Sequence, residues 1–201
     1  MKIRILLAAT IVAGALCAGY WSWQRPARLG ETDLLLLGDI ANESGEKNFD
    51  GSLREALRVA LLQSPHLNLV SDEKIRNVLR EMGQPDGAPL TEALAPSVCA
   101  KTGAQAYLTG KISQAGSGYL VKLGVYRCAG ASRMAKASAP AARADLVMQH
   151  LGEAARRLRV DLGEGAASVK QYDVPLERAA TPIPASLKAY EEARKMIREK
   201  G

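Results

Sequence analysis

The chain has 201 residues, 47% of them hydrophobic, which suits one globular domain with segments to spare and excludes wholesale disorder. Only 4% are aromatic, with Phe49 the single Phe, so the core is aliphatic and platforms for base stacking are few. Of the net charge of +6, four charges (Lys2, Arg4, Arg25 and Arg28) fall in residues 1–30, which hold no acid, while residues 31–163 carry 16 basic and 15 acidic groups; this pattern fits membrane topology, shows no basic stripe and argues against a nucleic-acid partner.

Ile5 to Trp21 is a run of 17 uncharged residues, at the short end of a bilayer-spanning helix. Lys2 and Arg4 precede it and Tyr20, Trp21 and Trp23 close it, as expected of a cytoplasmic N-terminus followed by an interfacial aromatic belt. Residues 1–24 therefore read as a single-pass inner-membrane anchor. The alternative is a cleaved signal peptide, with Ala13-Gly14-Ala15 supplying small residues at the cleavage spacing and the remainder secreted. Either reading exports the rest of the chain. Residues 25–32 form a short linker.

Asp33 to Ile40 (DLLLLGDI) is a continuous apolar run bounded by turn residues, the pattern of a strand buried on both faces. After a loop over residues 41–51, Ser52 and Glu55 form a capping-box pair ahead of Leu53, Ala56, Leu57, Ala60 and Leu61 at helical spacing. Pro65 ends that helix and His66 to Val70 alternates as a strand. Ser71 caps a second helix with Ile75, Val78, Leu79 and Met82 on one face. Thr91 to Thr102 reads as a third, which Pro96 must kink or restart.

Three strands follow, Ala104 to Ser113, Tyr119 to Cys128 and Ser132 to Ser138, joined by Gly-containing turns. A last helix spans about Arg143 to Leu162 and stops at Gly163. The order β-α-β-α-α-β-β-β-α over residues 33–163 predicts an α/β (α+β) domain, a single mixed β-sheet with helices packed on it. Residues 164–184, with Pro175, Pro182 and Pro184, read as linker, and residues 185–201 as a solvated helix.

Two stretches carry a resemblance. One is Asp39-x-x-Asn42-x-x-Gly45-x-x-x-Phe49-Asp50-Gly51-x-Leu53; the other is Val98-Cys99-x-x-x-Gly103-Ala104 with Leu108-x-Gly110-x-Ile112 and a hairpin ending at Cys128. Together they resemble the N-terminal-type domain of TolB-like proteins. More closely, they resemble the extracytoplasmic part of acidobacterial tetratricopeptide proteins, found attached to membrane-bound eukaryotic-like Ser/Thr kinases and winged-helix regulators. The resemblance makes residues 185–201 the first helix of a repeat array. The export signal, the α/β pattern and the lack of catalytic groupings point to a membrane-anchored extracytoplasmic interaction or sensing module with a protein partner in the periplasm. The alternatives are a small-ligand or cation-binding regulatory domain, or a remnant of a longer tetratricopeptide-repeat protein. Only Met1 to Arg4 precede the apolar run, so neither kinase nor DNA-binding activity carries over.

No catalytic grouping, phosphate loop or dinucleotide fingerprint is present, so no enzyme activity and no cofactor are expected. His66 and His150 are not spaced for a metal and read as packing or solvent residues. The loop acids Asp39, Glu43, Glu46 and Asp50 would hold a divalent cation only by departing from calcium-loop alternation. On the structural reading, Asp39 and Asn42 tie down the loop and Asp50 helps cap the next helix. Any ligand site is expected at this loop, at the carboxyl end of the first strand, with Asp39, Asn42 and Asp50 as candidates. In an exported domain Cys99 and Cys128 are expected to form a disulfide, the alternative being two buried free thiols.

Overall fold

A computed structural model describes residues 28–176. The expected anchor at 1–24 and the helix at 185–201 lie outside the described residues. Within them, no helix is long and apolar enough to cross a membrane.

The apolar run forms β1 (Leu34–Glu43), and its burial explains the run. Leu35 and Leu37 point into one hydrophobic cluster while Leu36 points into another, so alternate positions serve opposite faces. Helix α1 (Ser52–Leu62) leads to the short β2 (Asn68–Leu69). Helices α2 (Asp72–Glu81) and α3 (Ala95–Thr102) then lead to β3 (Ala106–Ala115), β4 (Gly118–Arg127) and β5 (Arg133–Ala141). Helix α4 (Val147–Asp161) and a fifth helix, α5 (Ala166–Tyr172), complete the described chain.

The five strands make one sheet in the order β2-β1-β3-β4-β5. The β2-β1-β3 part is parallel and the β3-β4-β5 part antiparallel. This is the mixed sheet that the element order predicts.

One core cluster lies between the sheet and α1 and α4, through Leu53, Leu57, Leu61, Leu151, Ala154 and Leu158. In β5 the buried positions are Ala135, Ala137, Ala139 and Ala141, a row of small side chains that lets α4 approach closely. The other cluster joins Leu36 and Tyr107 to Ile75, Val78, Leu79, Val98 and Cys99, so α2 and α3 cover the opposite face over β1 and β3.

The structure differs from the expectation at the starts of α1 and α4 and after Gly163, and at Pro96 it decides between the two expected alternatives. Gly51, in the left-handed conformation with φ +70, stands at the N-cap of α1, so Ser52 is already helical and no capping box forms; its hydroxyl donates to the Asn48 carbonyl instead. Pro96 restarts the third helix: Thr91 to Leu94 make a separate turn and α3 begins at Ala95. A 3-10 turn (Ala144–Leu146) precedes α4, which shortens the last expected helix. Finally, the stretch expected to be linker after Gly163 holds α5, because Glu164 and Val169 bury against the domain. Ser71 does cap α2, accepting from the Lys74 backbone N–H at 3.3 Å.

Candidate ligand loop and cysteine pair

The backbone of β1 breaks register with β3 between Leu37 and Ile40, and Asp39 sits in that break. Its backbone N–H donates to the Leu90 carbonyl at 2.9 Å, and its Oδ2 accepts from the Leu90 N–H at 2.5 Å. Asp39 thus pins the loop over residues 83–90 to β1 at the register break. Arg54 reaches the same point from α1. Its Nη2 donates to Asp72 Oδ1 at 2.5 Å and to the Leu37 carbonyl at 3.3 Å, while Nε lies 3.4 Å from Asp39 Oδ1.

Asn42 organises the rest of the loop. Its amide donates to the Glu46 carbonyl at 2.9 Å and to Asp50 Oδ1 at 2.6 Å, and its Oδ1 accepts from the Ser44 backbone at 3.1 Å. Asp50 therefore meets Asn42 and does not cap α1, because Gly51 occupies that position. Glu43 pairs with Lys111 at 2.9 Å and Glu46 accepts from Asn48 at 2.9 Å. The four loop acids are parcelled among separate partners. Among the described residues, no cluster of three or more His, Cys, Asp or Glu side chains would hold a metal ion.

Asp39, Asn42 and Asp50 nonetheless border one cavity of about 470 Å³, together with Arg54, Asp72 and Arg76. The arginines were not legible as site residues in the sequence, because an Arg in an amphipathic helix ordinarily reads as solvated surface. Replacing Arg54 with Ala leaves Asp39 and Asp72 facing each other without their shared cation. We expect a loss of about 1–3 kcal/mol in urea denaturation. A loss below about 0.5 kcal/mol would place this bridge with ordinary surface pairs.

Cys99 and Cys128 do come together. Their Cα atoms are 5.7 Å apart, with the sulfurs at bonding distance, across a sequence separation of 29. Cys99 is fully buried on α3, and the Cys128 backbone N–H donates to the Gln105 carbonyl at 3.0 Å, which holds the end of β4 beside the start of β3. The histidines take structural roles. His66 Nε2 lies 3.0 Å from the Leu29 carbonyl, and His150 Nδ1 lies 3.3 Å from Glu153.

A second polar centre had no sequence expectation attached to it. Arg159 and Glu164, each with a side chain 1% exposed, form a bidentate pair at 2.8 Å. Ser64 and Ser168 donate to the same carboxylate, so one carboxylate ties α4 and α5 to the turn that follows α1. Burial alone would raise the Glu164 carboxyl. The hydrogen bonds from Arg159, Ser64 and Ser168, with the guanidinium charge, outweigh it and hold the group down at about 2.

A mixed five-stranded sheet with two helices on one face and two on the other, with a buried ion pair behind α4, defines an α+β fold. Solved structures share it. The chain superposes on the LpoB C-terminal domain from Salmonella enterica with a TM-score of 0.51 at 18% identity, over 56% of this chain and 84% of that one. The LpoB C-terminal domain from Escherichia coli gives a TM-score of 0.51 at 16% identity over the same shares. TolB from Acinetobacter baumannii aligns with 70% of this chain and 30% of its own at a TM-score of 0.43 and 13% identity. The fold is LpoB-like. No protein-family model and no curated protein matches the sequence.

Proposed function

We propose that this chain is a membrane-tethered, extracytoplasmic module that binds a protein partner and carries out no chemistry. The observation that supports it best is the juxtaposition of Cys99 and Cys128, since a structural disulfide belongs to an oxidising compartment. The apolar run before residue 24, with basic residues ahead of it and aromatics behind, supports a single-pass tether. The carboxylates at the first-strand loop are engaged in holding the backbone and each other, which supports a scaffold in place of a reaction centre. The tetratricopeptide setting implied by the two motifs belongs to the same reading, with residues 185–201 as the link to a repeat array. In that reading the domain sits in the periplasm against another protein.

The test is a topology reporter fused behind Gly30. Alkaline phosphatase will be active there, and a cytosol-dependent reporter silent. A reporter active only inside the cell would remove the whole proposal. A second reading has one observation in its favour, the 470 Å³ cavity bordered by Asp39, Asn42 and Asp50: a small-ligand or cation-binding regulatory domain. Calorimetry with divalent ions and nucleotides separates the two, because the absence of heat with all of them eliminates the second.

A further inference from the structure

Residues 93–144 contain seven Lys or Arg and no Asp or Glu. Whole-domain balance conceals this run, which is why the sequence shows no basic stripe when charges are summed over the domain. The fold concentrates it, because the run includes all of β3, β4 and β5. In β5 the alanines turn to the core, so Lys136 and Ser138 turn to the other face. Helices α2 and α3 cover that face over β1 and β3 only.

Register assigns the neighbours. Lys111 lies directly opposite Lys122, and Ser138 flanks Lys122 from the other side. One step along, Thr109 and Lys136 flank Gly124. Like charges directly opposite on paired strands are unfavourable, and an isolated domain has no need of them. Lys111 is offset by Glu43 at 2.9 Å, whereas Lys122, Arg133 and Lys136 are exposed and form no ion pair with another described residue. Glu92 lines the same surface, so it and Glu43 are the acids at its border among the described residues.

The surface is also indented. Tyr126 folds over Gly124, where an added Cβ would lie 2.7 Å from the ring, and stacks on Tyr107 with ring centroids 5.3 Å apart. Between this wall and the lysines lies a cleft of about 260 Å³.

We propose that the exposed face of β3, β4 and β5 is the docking surface for an acidic segment of a partner protein, whose carboxylates meet Lys122, Lys136 and Arg133 along the cleft. This rests on the reading of the chain as an interaction module and names the surface that performs it. A concave site with cations at strand spacing suits carboxylate side chains on a peptide; a bilayer surface cannot enter a cleft.

The test uses the full chain in detergent with a labelled oligoglutamate peptide, read by fluorescence anisotropy, and in parallel with vesicles of phosphatidylglycerol and phosphatidylethanolamine. The double variant Lys122→Glu, Lys136→Glu will weaken peptide binding by about tenfold or more. The variant Lys47→Glu, Arg80→Glu makes the same change in net charge at exposed positions elsewhere and will weaken it far less. Equal loss in both variants, no binding by the native chain, or a loss confined to vesicle binding overturns the proposal. A photo-crosslinking residue at Ser138 and another at Arg76, introduced in cells, keep the two levels apart. Protein adducts at Ser138 that vanish in the Lys122→Glu, Lys136→Glu background support this face. Adducts at Arg76 alone reject this face and leave the interaction module standing, while none at either position counts against both.

Discussion

Glu164→Gln will lower the stability of the domain by about 3–5 kcal/mol, the cost of leaving a buried guanidinium without its counter-charge. The Arg159 side chain is 1% exposed, and both of its side-chain hydrogen bonds go to this carboxylate. Ser64 and Ser168 lose a charged acceptor in the same step. Urea denaturation at neutral pH measures the loss as a lower midpoint at unchanged slope. The double variant Arg159→Met, Glu164→Leu separates pair from packing: it will recover most of the loss, because removing both charges removes the unpaired one. If the double variant is as unstable as Glu164→Gln, the charge is not the cause.

The same residue sets a pH dependence with a definite sign. Its carboxyl is held at about 2 in the folded state against an ordinary 4.5. A depressed acid stabilises the fold above its unfolded value and loses that contribution as the pH falls through the folded one. The native chain will therefore lose roughly 3 kcal/mol between about pH 4.5 and pH 2 from this group. In Glu164→Gln that part of the acid limb will be missing.

Opening the Cys99–Cys128 bridge will cost roughly 3–4 kcal/mol on the loop-entropy account, for a separation of 29 residues. The bridge joins the end of β4 to α3, and α3 is one of the two helices over the second core cluster. Its loss will loosen that side of the sheet first, seen as faster amide exchange in α3 than in α4. Intact mass after alkylation without reductant will show neither Cys99 nor Cys128 modified. Two alkylated thiols at these positions would end the disulfide and remove the main support for an oxidising compartment.

Much of the architecture was legible locally. Leu34 to Leu37 announce a strand buried on both faces because four successive apolar residues leave no side for water. The stripes read for α1 and α2 bury, Met82 only in part, since helical periodicity is itself the record of which side faces the core. Boundaries were less legible. Ser52 and Glu55 satisfy the capping-box spacing, yet Gly51 is the residue able to adopt the left-handed turn into α1, and backbone conformation decided the matter. Helix α5 has little amphipathic pattern of its own; it is held by Glu164, Ser168 and Val169 against the domain, contacts that no short window of sequence contains.

The candidate loop shows the same division. That Asp39, Asn42 and Asp50 gather near the end of β1 follows from their closeness in the chain. What they bond to, Leu90, Arg54 and Asp72, follows only from how α1, α2 and the loop before α3 are laid over the sheet.

By itself, the sequence determined the element order as far as α4, the aliphatic core and the apolar N-terminal run, because each depends on neighbours within a few turns of chain. Tertiary structure alone decided the strand order, the burial of Arg159 with Glu164, and the gathering of Lys111, Lys122 and Lys136 on one face. Those features depend on cross-strand register and on which groups are cut off from water, and both are set when distant segments pack.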